Sequence, residues 1–266
     1  MNDAPLYDEI GVGYMTTRQA DPTIEGMVHD ALGDARRVVN VGAGTGSYEP
    51  HDREVVAVEP SEVMIAQRPA GAAPVVRAVA EELPFEDDSF DAAMAVITDH
   101  HWSDRARGLR ELRRVARSRA VLLTYDPSFA DRFWLVRDYL PGFKGLPGMT
   151  IDDVAAHLGA QTVLPVPIPA DCRDGFLPAF WARPHAYLDP RVRAGISVFA
   201  RLEPAEVEAA MACLRADLDS GAWNERNAEL AGLDELDLGF RLLIAELGSL
   251  SRPRRGSSRP CSSARP

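Results

Sequence analysis

Lysine is nearly absent from this chain. Lys144 is the only one, and arginine supplies the rest of the 29 basic residues, which stand against 40 acidic ones for a formal net charge of -11. A chain so acidic does not neutralise nucleic-acid phosphates over a broad face, so nucleic acid is set aside as a partner. Cysteine is scarce as well: Cys172, Cys213 and Cys261 are far apart and odd in number. That excludes a disulfide framework and a CxxC-type zinc site, and it fits a reducing, cytoplasmic setting with no metal. No apolar run approaches the ~18–20 residues of a membrane span, and Met1-Asn2-Asp3-Ala4-Pro5 is no secretory leader. A membrane partner is therefore not expected. What remains is 46% hydrophobic and 26% charged residues over 266 positions, enough for one α/β domain with insertions, as a monomer or homodimer.

Punctuation along the chain defines its organisation. Ser249–Pro266 carries five arginines, no acid and almost nothing apolar, and reads as a disordered tail (249–266). Without it, 24 basic residues face 40 acidic ones, a body near -16. Ahead of the tail, short β-branched runs alternate with helical stretches. The runs are Val38–Val41, Glu54–Glu59, Pro74–Ala78, Phe90–Ile97 and Ala120–Tyr125. Continuous apolar strands separated by helices indicate a parallel sheet buried on both faces. Ser61 is placed to cap a helix to Gln67, and Ser103 or Asp104 one through Arg117, whose arginines read as a solvated face. Asp131–Leu140 and Ile151–Leu158 are expected helices, Thr162–Leu164 a sixth strand and Leu238–Ile244 a seventh. Between the last two, residues 171–236 read as mostly helical, with an amphipathic stretch from Pro204 to Leu218, and are too long for an ordinary connection. The expected units are thus an N-terminal lid (1–35), a core (36–170), a helical cap (171–236), a closing strand (237–248) and the tail.

The first strand runs into Gly42-Ala43-Gly44-Thr45-Gly46. Glycine is required where backbone turns sharply or a ligand lies against the main chain. The spacing is G-x-G-x-G; position 47, where a dinucleotide fingerprint needs its third glycine, is Ser47. Thirteen residues after Gly46, at the end of the second strand, stands Glu59, followed by Pro60 and Ser61. A carboxylate there is placed to accept both hydroxyls of a ribose, so loop and acid together suit a nucleoside without a diphosphate.

Three stretches carry a family resemblance: Val39–Gly46, Val56–Ser61 with Met64, and Ala80–Asp91. In that order they resemble the class I S-adenosylmethionine-dependent methyltransferases, specifically the broad methyltransferase type 11 group with its ubiquinone/menaquinone-biosynthesis-like enzymes. The likeness covers about 36–126, roughly a third of the chain. It implies an α/β, Rossmann-like fold: a seven-stranded, mostly parallel sheet with helices on both faces and, here, a helical cap inserted near the C-terminus. It also implies S-adenosylmethionine as cofactor, with S-adenosylhomocysteine as product. Gly42, Ala43, Gly44, Thr45 and Gly46 would flank the methionine moiety, Glu59, Pro60 and Ser61 the ribose, and Met64, Ala80 and Glu81 the adenine, with Thr98 at the end of strand four. Two positions depart from the family pattern. Asn40 replaces the usual acid and Val79 a frequent Asp, which costs charge attraction for the ligand's ammonium and an acceptor for its adenine amino group.

Methyl transfer from a sulfonium needs alignment and, where the acceptor is protic, removal of a proton. Strand four ends Ile97-Thr98-Asp99-His100-His101-Trp102, and histidine suits proton abstraction near neutral pH. His100 and His101 are candidate bases with Asp99 as orienter. On an extended segment they would point apart, which argues against shared metal ligation. In similar methyltransferases the segment before the first strand folds over the donor, and Tyr14 (catalytic) and Arg18 (donor-binding) are its candidates. Tyr125, Asp126, Phe133 and Trp134 are candidates for an acceptor pocket. The expected function is methyl transfer to a small-molecule acceptor, in a secondary-metabolite setting. The alternative is a methyltransferase-like protein that binds the donor without methyl transfer or uses it for a different reaction.

Overall fold

The computed structural model describes residues 18–143 and 149–248. Five strands, β1 (Arg37–Val41), β2 (Glu54–Val58), β3 (Val75–Val76), β4 (Phe90–Val96) and β5 (Ala116–Tyr125), pair in parallel. β6 (Thr162–Pro165) and β9 (Phe240–Glu246) complete the sheet, β9 running antiparallel between β5 and β6. The strand order is β3-β2-β1-β4-β5-β9-β6. The chain leaves β1 toward one edge and returns beside it as β4, so the order reverses there. In an open α/β sheet the crevice beyond the carboxyl ends of two such strands is where ligands bind.

The sheet is buried on both faces, and the alternation along each strand divides the core in two. Val38, Ala92, Met94, Val121 and Leu123 face one layer, which receives Ile24, Val28 and Ala31 of α1 (Pro22–Ala31). Val39, Val41, Ala93, Ala95 and Leu122 face the other, which receives Leu109, Leu112 and Val115 of α3 (Arg105–Val115) and Val154 and Leu158 of α5 (Ile151–Leu158). α1 thus belongs to the sandwich, although its sequence fell within the expected lid; what precedes Arg18 lies outside the described residues.

Several boundaries differ from expectation. α3, capped by Asp104, stops at Val115 instead of Arg117, because Ala116 already pairs with Phe90 as β5 begins. The stretch expected as one helix over 131–140 divides into a 3-10 turn at Pro127–Arg132 and α4 (Trp134–Tyr139), with Phe133 extended between them. The arginines of α3 are not simply solvated. Arg105 pairs with buried Asp99, and Arg114 holds Glu111, Asp87 and the carbonyls of Leu83 and Phe85. Ser61 does cap α2 (Glu62–Ala66), accepting from the Met64 amide.

The long segment before β9 is pinned at its base. β7 (Ile168–Pro169) pairs antiparallel with β8 (Glu235–Leu236), and the Ala170 amide donates to the Asp234 carbonyl. Between them lie α6 (Pro190–Ala194), α7 (Pro204–Ser220), α8 (Ala222–Arg226) and four 3-10 turns. This segment shares the α1-side core with the sheet and packs on it directly. Trp134 donates its Nε1–H to the Trp181 carbonyl and Trp181 its own to the Ile168 carbonyl, both at 2.9 Å. Trp134 also stands edge-on to Trp223 at 5.2 Å.

Candidate active site

A cavity of about 1000 Å³ opens beyond the carboxyl ends of β1, β2 and β4. Asn40, Gly42, Ala43, Gly44 and Thr45 line it from β1 and its loop, and Glu59 and Pro60 from the end of β2. Met64 comes from α2, Ala80 and Glu81 from beyond β3, Thr98 and His101 from beyond β4, and Arg18 from ahead of α1. The loop takes this path because Gly42 and Gly44 are left-handed, at φ 70° and 52°. A Cβ on Gly42 would overlap the Thr98 hydroxyl, so only glycine brings β1 and β4 this close. Glu59 is fixed by two backbone donors, Gly44 to Oε2 at 2.8 Å and Ser61 to Oε1 at 3.0 Å. A bare-backbone cradle facing an oriented carboxylate fits an adenosine carrying a methionine chain. Gly46 and Ser61 stand behind the wall instead of on it. A Cβ on Gly46 would approach the Glu49 carboxylate, and Ser61 serves as the helix cap. Glu81 lines the cavity, but its Oε1 accepts from the Ser103 hydroxyl at 2.7 Å and the Asp104 amide at 3.0 Å, tying it to the start of α3.

Behind the loop lies a pair that sequence reasoning missed. Glu49 and Arg68, both nearly inaccessible, form an ion pair at 2.6 Å. Arg68 also donates to the Gly44 carbonyl at 3.1 Å, and the Asn40 amide donates to Glu49 at 3.3 Å. This accounts for the asparagine: an aspartate at position 40 would set two carboxylates against each other in a buried site. Nothing in the sequence linked positions 40, 49 and 68.

Asp99 does not orient a histidine. It is fully buried, accepting from Arg105 Nε at 2.7 Å and the Thr124 hydroxyl at 2.7 Å. Asp99–His101 form a 3-10 turn, so the two imidazoles do not point apart as on a strand; their centroids lie 3.9 Å from each other. Arg201 donates to His101 Nδ1 at 3.3 Å, and because a guanidinium only donates, His101 carries its proton on Nε2. His100 Nδ1 is buried and has no hydrogen-bond partner among the described residues. Burial, together with the positive charges of Arg105, Arg201 and Arg18, holds the His100 imidazole well below its usual value of 6.5. It is therefore neutral at pH 7.

A second cavity of about 720 Å³ adjoins the first, and Arg18, Ile97 and His101 line both. His100, Tyr125 and Phe133 line the second only, joined by Val136, Phe143, Leu238 and Phe240 and, from the inserted segment, by Phe176, Leu177, Pro178 and residues 196–198. Trp134 belongs to the core, and Asp126 caps the turn that follows β5. Ile97, at the partition, has φ 52°, a strained value for a β-branched residue. Arg18, 14% exposed at its side chain, pairs at 2.5 Å with Asp174, which is 1% exposed and also accepts from the Tyr48 hydroxyl at 2.9 Å. Tyr48 follows the glycine loop and Asp174 lies in the inserted segment, so this contact latches one to the other. Burial, then Asp174, raises the Tyr48 phenol well above 10. Tyr14 lies outside the described residues. Among those described, no cluster of His, Cys, Asp and Glu is placed to hold a metal ion, and no helix is long and apolar enough to cross a membrane.

Residues 39–124 match the family described as a methyltransferase domain. A solved structure from Anabaena variabilis, named as a methyltransferase from an antibiotic biosynthesis pathway, superposes with a TM-score of 0.80. It is 32% identical, and the match covers 86% of this chain and 99% of that one. This chain belongs to the class I S-adenosylmethionine-dependent methyltransferases. Shorter likenesses agree. An uncharacterized methyltransferase of Bacillus subtilis is 31% identical over 101 residues, 34% of this chain and 40% of its own length. One of Mycobacterium bovis is 39% identical over 89 residues, 31% of this chain and 36% of its own. The matched part thus spans well under half of these curated relatives. The stretch matched by the family, residues 39–124, runs from β1 into β5 with the glycine cradle, and leaves the inserted segment outside.

Proposed function

We propose that this methyltransferase transfers a methyl group from S-adenosylmethionine to a small-molecule acceptor, with proton removal assisted by His100. The observation that carries this reading is the meeting of two cavities at Ile97, His101 and Arg18. The donor supplies an electrophilic methyl. An acceptor atom's electron pair bonds to it as the carbon–sulfur pair returns to sulfur, and a protic acceptor leaves one proton to be taken up. The glycine cradle and Glu59 hold the nucleoside, with Met64, Ala80 and Glu81 beside its base, and Arg18 closes the methionine end. His100, neutral and on the wall of the second cavity, takes the proton. His101, on the wall of both cavities, orients the acceptor. Residues 171–236 act as the cap that selects it. A secondary-metabolite setting draws support from the pathway named for the Anabaena relative.

Binding of the donor without transfer was suggested by Asn40 and Val79. Glu49 now accounts for Asn40, which leaves Val79 alone to support that reading. Calorimetric titration with S-adenosylmethionine and S-adenosylhomocysteine, followed by methyl transfer to a metabolite pool read by mass spectrometry, separates the two. Transfer with wild type and a loss of about 10²-fold or more in His100→Ala is expected. Full turnover in both His100→Ala and His101→Ala contradicts the base assignment.

A further inference from the structure

We infer that the second cavity takes an uncharged, largely apolar aromatic or enolic alcohol, and not an amine or a phosphorylated compound. This rests on the proposed reading of the paired cavities and names the acceptor class within it.

Charge decides first. Among the described residues no Asp, Glu or Lys lines this cavity. A protonated amine would enter an apolar space with no carboxylate to receive it and with Arg18 on the wall, an arrangement that costs several kcal/mol for an unpaired buried cation. A phosphate fares little better. Arg18 is already committed to Asp174, at 2.5 Å from Nε and 3.3 Å from Nη2, and His100 is neutral. Shape decides next. Phe133, Phe143, Phe176 and Phe240 stand around the space, with Phe176 and Phe240 centroids 4.7 Å apart, and flat rings pack well against such edges and faces. The polar groups are few. Besides Arg18 they are His100, His101, the Tyr125 hydroxyl and Ser197, and His101 lies where the cavities meet, so a hydroxyl on an otherwise apolar body finds hydrogen-bonding groups there.

The test is calorimetric and needs no turnover. The full chain, saturated with S-adenosylhomocysteine, is titrated at pH 7 with 2-naphthol, with protonated 2-(2-naphthyl)ethylamine and with 2-naphthyl phosphate. The expected result is 2-naphthol binding at least about tenfold more tightly than either charged probe, a difference of about 1.4 kcal/mol. Ser197→Asp places a carboxylate on the wall; it should weaken 2-naphthol and strengthen the ammonium while leaving S-adenosylhomocysteine affinity in place. Equal or tighter binding of either charged probe by wild type overturns the inference, as does failure of 2-naphthol to bind a protein that holds S-adenosylhomocysteine. If S-adenosylhomocysteine itself does not bind, it is the underlying donor-site reading that fails. Should Ser197→Asp not fold, the three-probe comparison on wild type still decides.

Discussion

The proposed donor and acceptor cavities share a wall at Arg18, Ile97 and His101, yet they are built in opposite ways. Apart from Arg18, the donor cavity is lined from residues 40–103 alone, mostly by the loops that follow β1, β2, β3 and β4, with Gly42 and Gly44 presenting bare backbone. The acceptor cavity is lined mostly by apolar residues, drawn from seven separated places: 18, 97–101, 125, 133–143, 176–178, 196–198 and 238–240. A cavity made of backbone tolerates little change at a few positions. One made of scattered apolar side chains can alter its preference by substitution while the fold persists, because volume-conserving changes cost little. That difference suits a family in which one donor serves many acceptors.

The comparison breaks first at Gly42. A methyl group there meets the Thr98 hydroxyl, and φ of 70° disfavours any side chain. Gly42→Ala should therefore lower S-adenosylhomocysteine affinity by about 100-fold or more, about 2.7 kcal/mol, by calorimetry. Affinity within threefold of wild type would sink the claim that this cradle is rigid. On the other side, Asp174→Ala removes the buried carboxylate that pairs with both the Arg18 guanidinium and the Tyr48 hydroxyl. Denaturant titration should register a loss of about 3–5 kcal/mol, with Asp174→Asn costing less. A loss below about 1 kcal/mol would mean that the latch does not bind the inserted segment to the glycine loop.

A subtler consequence concerns pH. The His100 pKa in the folded chain is depressed by burial, so the unfolded chain binds its proton first as pH falls. This residue's contribution to stability is accordingly present above the unfolded value of about 6.5 and is lost below it. On the proposed reading, in which neutral His100 takes the proton, methyl transfer should stay level from pH 8 down to 6.5 and decline only beneath. A fall centred on 6.5 that disappears in His100→Gln would show an ordinary, solvated imidazole instead. The smallest effect belongs to the inserted segment's surface. Arg191, 89% exposed at its side chain, pairs with Asp189 at 2.7 Å, and Arg191→Ala should shift neither the melting temperature nor donor affinity measurably.

The same asymmetry explains what the sequence disclosed. The strands of the parallel half, Gly42 and Gly44 and Glu59 were legible because each announces itself locally: β-branched runs, a glycine loop straight after a strand, an acid at a strand end. Glu49 and Arg68 were not, since an acid and a base 19 positions apart give no sign that they meet behind a loop. Asp99 misled because adjacency to two histidines suggested a relay, whereas the turn aims it at Arg105 six residues on and Thr124 on β5. Phe133 and Tyr125 were anticipated as acceptor-lining, but Phe176 and Phe240 emerge only when the inserted segment is folded back over the sheet. Local patterns encode elements; the acceptor cavity exists only in the tertiary contacts among them.

The most direct test of the paired-cavity account is a crystal structure with S-adenosylhomocysteine bound. The account predicts the ribose hydroxyls on the Glu59 carboxylate, the adenine beside Met64 and Ala80, and the sulfur directed past Ile97 and His101 toward the phenylalanine-lined cavity. Ligand lying elsewhere, or bound with its sulfur turned away from that opening, would contradict it.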